Sequence, residues 1–410
     1  MAGSAIEQGQ AAASDVTTGS PSRRVAVLAS WYPSSRDPVA GIFVRDQVTV
    51  LARRLDVAVI APEMVTWRAI VARLTGRGRQ AAEPQDEVPT LRHRVYVVPR
   101  AGRINRWIYR KVVARAFREL ERTWGRPDLI NAQVVLPAGD AAVHIGRPQG
   151  IPVVLTEHSS RMSMHVMSPG SRRAAIEALR GMDAVVAVGS GLRDEIRELA
   201  DVPVDVVGNV IAPEFFESSD RERKPPPALR LLAIGLLKPQ KRFDILLQAM
   251  RRVAEEHEGT KLTIVGDGPD RDSLESLARE LGIEEHVNFA GLATRDTIRH
   301  WLAWADALVS SSDRESFGLA VAEASAVGLP VVVTASGGPE TFVEPEMGIV
   351  VPKGDATALA EALLSLPAFM RAFDGGAVRS SMAERFGPEA FLSRLLPIFE
   401  QAIAARQRSR

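Results

Sequence analysis

The 410-residue chain contains no cysteine. That excludes disulfide frameworks, zinc ribbons, iron–sulfur clusters and a cysteine nucleophile. Lysine is scarce, six residues against 45 arginines, and aromatic residues make up 5%. Net charge is nearly absent: 51 basic and 50 acidic side chains leave +1. Nucleic acid is therefore not an expected partner, because binding it rests on neutralising phosphates. Long apolar runs are missing too. The longest, 318–338, carries Glu323 and is broken by Gly328-Leu329-Pro330, so it reads as a buried helix followed by a buried strand. Residues 1–21 are small and polar, without the apolar segment of a signal peptide. They are expected to form a disordered tail, and a cytoplasmic location follows. At 46% hydrophobic residues the chain is too apolar for disorder, and its length suits two or three domains.

What is present is an alternation of short apolar runs with amphipathic stretches. Strands are expected at 25–29, 56–61, 95–98, 129–131, 153–156, 184–188 and 205–207. Helices are expected at 43–54, 104–124, 138–145, 171–180 and 191–199. Residues 64–91, rich in Gly, Gln, Glu and Pro, read as an irregular insertion. A charged, Pro-rich linker at 218–228 interrupts the pattern. The alternation then resumes, with strands at 231–235, 262–266, 287–290, 307–311, 330–334 and 349–351. Helices follow at 243–256, 271–281, 294–304, 318–327 and 356–365, and a last one at 389–406 lies beyond Gly387-Pro388. This is the signature of an α/β protein with two doubly wound, Rossmann-like sheets. The domains are read as 22–210 and 211–388, with 389–410 a terminal helix. Ligands of such sheets bind beyond the carboxyl ends of the strands.

Several chemistries fail on motif grounds. There is no G-x-x-x-x-G-K-[ST] loop, no G-x-G-x-x-G after the first strand and no H-E-x-x-H. Asp270-Arg271-Asp272 sits where a helix should begin, a position that suits acids without any metal. The richest segment is 307–341. Glu315 precedes Ser316-Phe317-Gly318 at a helix mouth, and Glu323 lies two turns inside an otherwise apolar helix. A carboxylate there needs a partner, and the amides of Phe317, Gly318 and Leu319 suit a phosphate. The alternative is an N-terminal acid plus one satisfied buried glutamate. Gly235 opens a loop holding Lys238, Lys241 and Arg242, read either as a phosphate-facing cluster or as a solvated turn. Gly266-Asp267-Gly268-Pro269 suits close backbone approach or a plain tight turn. In the first half Gly41 opens a helix, and His158 ends a strand, facing the cleft or simply buried.

Taken in order, these pieces resemble the retaining glycosyltransferases of the GT-B fold, family four, over about residues 24–405. The most specific part is Glu315 and Glu323 around Ser316-Phe317-Gly318, followed by Gly337-Gly338-Pro339-Glu340. Supporting pieces are Gly41-Ile42-Phe43-Val44, Thr156-Glu157-His158, Ser190, Gly208-Asn209 before Phe215, the lysine loop and 266–269. The resemblance implies transfer of a sugar from a nucleotide diphosphate sugar, UDP- or GDP-linked, to an acceptor hydroxyl. The product would be a polysaccharide, glycolipid or other glycoconjugate, and neither cofactor nor metal is implied. It assigns Lys241, Glu315 and His158 to the reacting centre. Glu323, Phe317, Gly318, Leu319, Gly235, Arg242, Gly266, Gly268 and Gly41 would bind the donor. The terminal helix would cross back onto the first domain. Three departures stand out, one being Gly208-Asn209-Val210, which lacks the usual Asn-Gly order. Leu236 replaces an arginine common in the family, leaving Lys238 or Arg242 to supply charge. Asn131-Ala132-Gln133 replaces a His-rich strand end that lines the acceptor pocket. The competing readings are a sugar-nucleotide epimerase of the same architecture, a transferase tailoring a small secondary metabolite, and a non-catalytic binding subunit.

The overall +1 hides an asymmetry: residues 1–210 carry 28 basic and 21 acidic side chains, and residues 211–410 carry 23 and 29. Residues 92–122 hold ten of the cations against Glu119 and Glu121. Ile104, Trp107, Ile108, Val112, Ala116, Phe117 and Leu120 give that helix an apolar stripe, expected to face the core. The alternative is a basic face resting on an anionic membrane at the inner surface, or on an anionic acceptor.

Overall fold

The computed structural model describes residues 22–66, 86–99, 101–159, 168–217 and 228–408. The strands of the first half are β1 (Arg24–Ala29), β2 (Asp56–Ile60), β3 (Glu63–Thr66), β4 (Thr90–Leu91), β5 (Arg94–Val97), β6 (Leu129–Gln133), β7 (Val153–Glu157), β8 (Ala184–Ala187) and β9 (Asp205–Val206). Seven form one parallel sheet in the order β4-β2-β1-β6-β7-β8-β9. The second half contributes β10 (Arg230–Ile234), β11 (Lys261–Val265), β12 (Val287–Gly291), β13 (Ala307–Ser310), β14 (Val331–Thr334) and β15 (Gly348–Val351), ordered β12-β11-β10-β13-β14-β15. The central strands are buried along nearly their whole length, as covering by helices on both faces requires. Strand order reverses between β1 and β6 and again between β10 and β13, so each sheet has one switch point where a crevice opens.

The helices are α1 (Ile42–Leu51), α2 (Gly102–Thr123), α3 (Asp140–Gln149), α4 (Pro169–Arg180), α5 (Ser190–Ala200), α6 (Phe243–Glu256), α7 (Arg271–Glu280), α8 (Arg295–Trp304), α9 (Leu319–Ala326), α10 (Ala356–Phe369), α11 (Gly375–Phe386) and α12 (Pro388–Arg408). Phe391, Leu392, Leu395, Phe399, Ala402 and Ile403 of α12 share a buried cluster with β1 and α1 of the first half. Among the described residues no helix is long and apolar enough to cross a membrane.

Four expectations need correcting. The strand expected at 95–98 does not join the large sheet; β5 pairs only with β3, in a sheet of two. The segment read as irregular, 64–91, contains most of β3 and all of β4, while its middle, like 1–21 and most of the linker, lies outside the described residues. Helix α11 was not anticipated. It opens with Gly375-Gly376, poor helix formers, and is held by Asp374 accepting from the amides of Gly376 and Ala377. The stripe on α2 is also rotated. Tyr109, Val113, Ala116, Phe117 and Leu120 face the core, whereas Ile104 and Trp107 stand 56% and 60% exposed.

Candidate active site

In the second half the site grows from the ends of β10 and β13, the two strands at the switch point. The Gly235 loop turns at Pro239–Lys241 and returns Lys241 toward β13. There Lys241 Nζ lies 2.5 Å from Glu315 Oε1, which also accepts from Ser312 Oγ at 2.7 Å. Ser311 Oγ donates to the Lys241 carbonyl at 2.9 Å, fastening one loop to the other. Gly318 caps α9 at φ +91°, a conformation costly for any residue with a Cβ. A Cβ there would also meet Pro339 Cγ at 2.5 Å. The Phe317 side chain is not available to a ligand: it is buried against Phe342 and Phe386, with ring centroids 5.3 and 5.2 Å away. It anchors the helix mouth and leaves its backbone facing the cavity.

Glu323 reaches the same cavity from inside α9. Burial pushes its carboxyl up to about 8, and the charge of Arg295 pulls it back down. Arg295 begins α8 after Thr294, whose hydroxyl caps the helix. Its guanidinium crosses to the first half and grips both oxygens of Asp46 on α1, one at 2.7 Å, and it reaches Glu214 at 3.1 Å. Burial works against that charge, but the hydrogen bonds and charge of Asp46 outweigh it and raise the Arg295 pKa. Burial likewise raises Asp46, with Arg295 opposing the shift.

In the first half the corresponding residues are almost all neutral. His158 Nε2 lies 2.6 Å from Gln133 Oε1. Gln133 donates to Asn131 Oδ1 at 2.6 Å, and Gln47 donates to Asn209 Oδ1 at 3.1 Å. Burial lowers His158 to about 3, with nearby Asn209 opposing the shift, so the ring is uncharged at neutral pH. With Nε2 held by an amide oxygen, that nitrogen carries the proton. Nδ1 is buried without a protein partner. The Phe43 ring lies tilted against the imidazole, with centroids 4.6 Å apart. Glu157, fully buried, precedes His158 at the end of β7. Burial pushes it up to about 7, while amides of Val135, Ser159 and His158 pull it down and shape the strand end.

The halves close on each other directly. Ser316 Oγ donates to the His158 carbonyl at 2.7 Å, and Arg314 pairs with Glu195 on α5. Between them lies a cavity of about 430 Å³ lined by His158, Lys241, Glu315, Glu323 and Arg295. Gly235, Gly266, Phe317, Gly318 and Leu319 line it as well. Three expected donor contacts, Arg242, Gly268 and Gly41, are not brought there. Arg242 turns away, bonded to Asp244 at 3.0 Å and Asp313 at 3.1 Å; these pairs raise its pKa, Asp244 foremost. Lys238, not Arg242, lines the cavity beside Leu236. At Gly268 a Cβ would lie 2.3 Å from the Leu237 carbonyl oxygen, so this glycine lets its loop lie close against the lysine loop. Gly41 is a backbone position: φ is +68°, and a Cβ would lie 2.2 Å from the Trp31 carbonyl oxygen. Its neighbours Val39, Ile42 and Phe43 line the cavity instead. Asn131 and Gln133 are buried behind His158 rather than lining an acceptor pocket. Asp272 lies in the first turn of α7. Among the described residues no three His, Asp or Glu side chains are grouped to hold a metal ion. Sequence reasoning passed over Arg295. Its signal was a cation at a helix start, where the dipole disfavours positive charge.

Comparison with known proteins gives the family and the fold. Residues 214–367 match the family model "Glycosyl transferases group 1", and residues 40–215 match "Glycosyltransferase Family 4". The chain belongs to this glycosyltransferase family, and its two facing sheets are the GT-B fold. It is 30% identical over 313 residues to D-inositol 3-phosphate glycosyltransferase 1 of Catenulispora acidiphila, covering 69% of this chain and 74% of that one. It is 27% identical over 352 residues to TuaC of Bacillus subtilis, named as a teichuronic acid biosynthesis glycosyltransferase, over 82% of this chain and 87% of the other. Among solved structures, Anabaena HepE in complex with UDP and glucose superimposes with a TM-score of 0.69 at 17% identity, covering 92% and 99% of the two chains.

Proposed function

We propose that the chain transfers a sugar from a nucleotide diphosphate sugar to a hydroxyl of a glycan or glycolipid acceptor, with retention at the anomeric carbon. The observation that carries this reading is the joining of Lys241 and Glu315 at 2.5 Å, in one cavity with the α9 mouth and Glu323. As the anomeric bond breaks, negative charge builds on the departing diphosphate. Lys241, Lys238 and the helix-start amides at 317–319 are placed to stabilise it. Glu315 keeps one oxygen on Lys241 and Ser312 and offers the other to a sugar hydroxyl. Glu323 takes the ribose diol. His158, neutral and held at Nε2 by Gln133, lines the wall beside the sugar instead of moving a proton. The acceptor hydroxyl then attacks on the face the phosphate leaves, and that phosphate takes its proton.

The UDP in the HepE structure makes uridine nucleotides the first donors to test, and the TuaC name makes an anionic polysaccharide the first acceptor class. The test is incubation with a panel of UDP- and GDP-sugars, followed by NMR of the anomeric signal. Slow acceptor-free hydrolysis with initial retention supports the reading. An inverted product overturns the mechanism, interconversion of donors identifies an epimerase, and inertness toward every donor points to a binding subunit.

A further inference from the structure

Helix α2 shows a face that the core does not use. Ile104, Trp107, Lys111, Arg115, Arg118 and Arg122 are all exposed. Their spacing of three and four places them along one side of the helix. No acid falls on that line: Glu119 is half-buried and takes His93 at 3.2 Å, and Glu121 lies off it. The stripe begins apolar and continues cationic. Its apolar end is broadened by neighbours, since Val98 is tied to the first turn of α2 by two hydrogen bonds with Asn105. Tyr96 and Val98 stand 54% and 48% exposed. Five of the nine exposed large hydrophobic residues among those described lie between positions 64 and 107.

The topology decides where this end points. Helix α2 starts after the carboxyl end of β5 and leads back to the amino end of β6. Its first turns also bind the starts of two helices that follow other strand ends. Arg110 grips Asp140 at the start of α3, one bond at 2.7 Å, and Arg106 donates to the Gly170 carbonyl at the start of α4. The exposed Ile104 and Trp107 therefore sit on the rim where the strands of the first half end, the side that holds His158 and the cavity.

We propose that this face docks the enzyme on an anionic lipid bilayer, with Ile104 and Trp107 entering the interface and Lys111, Arg115, Arg118 and Arg122 lying over the headgroups. Trp at the headgroup level, an aliphatic neighbour below it and a row of cations are what such a surface recognises. The charge is complementary, and the orientation sets the cleft mouth toward the membrane. A lipid-linked acceptor would then reach the first half without leaving the bilayer.

Vesicle sedimentation of the full chain tests this without any substrate. Vesicles of phosphatidylcholine alone are compared with vesicles containing about one-third phosphatidylglycerol, at low salt and at about 1 M salt, where screening sets in beyond roughly 3 Å. Binding is expected only to the anionic vesicles at low salt. Replacing Lys111, Arg115 and Arg118 together by Gln should weaken it roughly a hundredfold, at about fivefold per cation. I104S/W107S should weaken it roughly tenfold. Unchanged nucleotide binding by both variants shows that the fold and cavity are intact. Equal binding to neutral and anionic vesicles, or wild-type binding by the triple variant, overturns the proposal. Retention of a soluble acidic polysaccharide with no vesicle binding also overturns it, assigning the face to a glycan.

Discussion

The two halves present the same parallel architecture to the cleft but opposite chemistry. The second half meets it with charge: Lys241 on Glu315, Arg295 beside Glu323, Lys238 at the rim. The first half meets it with an amide and a neutral imidazole, Asn209 and His158, backed by the buried amides of Gln47, Asn131 and Gln133. The difference follows from the work each would do. A departing diphosphate needs fixed positive charge and oriented amides in a dry site. A sugar or acceptor hydroxyl needs only direction, and a neutral network supplies it without the desolvation cost of a buried ion. Among the described residues, the exposed cations Lys111, Arg115, Arg118 and Arg122 of the first half lie on its outer surface, away from its buried amides.

The largest effect should come from the charged half. Lys241→Ala and Glu315→Gln are each expected to cut turnover roughly a hundred- to a thousandfold, with the circular-dichroism spectrum unchanged. Loss of only a few-fold would mean that the contrast between the halves carries no catalytic meaning. Next comes the place where the halves touch through charge. Arg295→Met leaves Asp46 and Glu214 without their cation, and the donor KM should rise about tenfold with a much smaller change in kcat. A fall in kcat at unchanged KM would put Arg295 in the reacting centre instead.

Glu323 gives a pH signature. Its carboxyl is raised by burial from 4.5 to about 8. The native state therefore keeps a proton that the unfolded chain has released, and stability is lost as pH rises across that interval. Melting curves at pH 5 and pH 8 should show the wild type falling further than Glu323→Gln. Parallel falls would remove Glu323 as the source. The smallest effect is expected at Arg242, which is turned away onto Asp244 and Asp313. Arg242→Gln should leave kcat/KM within about twofold, as surface pairs contribute little; a loss as large as that of Lys241→Ala would return Arg242 to the donor site.

Much of the second half was legible in advance because its parts are local. Glu315, the helix mouth and Glu323 lie within nine consecutive residues, where helix periodicity alone sets which groups face which way. The lysine loop was legible as a strand-to-helix turn, but the choice between Lys238 and Arg242 was not. It turns on Asp244 and Asp313, one of them 71 residues away. The first half was harder. Gln133 looked like a departure at an acceptor pocket, whereas its side chain is a buried support for His158, 25 residues further on.

Sequence by itself determined two parallel α/β sheets, the strand ends where chemistry gathers, and the family that shares them. These follow from period, burial and turn residues, which act over a few positions. Tertiary structure decided the rest. It set Arg295 on Asp46 across 249 residues and Gln47 on Asn209 across 162. It turned Arg242 out of the cavity and brought the mouth of α9 onto the His158 carbonyl. Such pairings depend on how two separately wound sheets pack, because burying a polar group requires a partner wherever packing provides one. No local pattern in the chain records that choice.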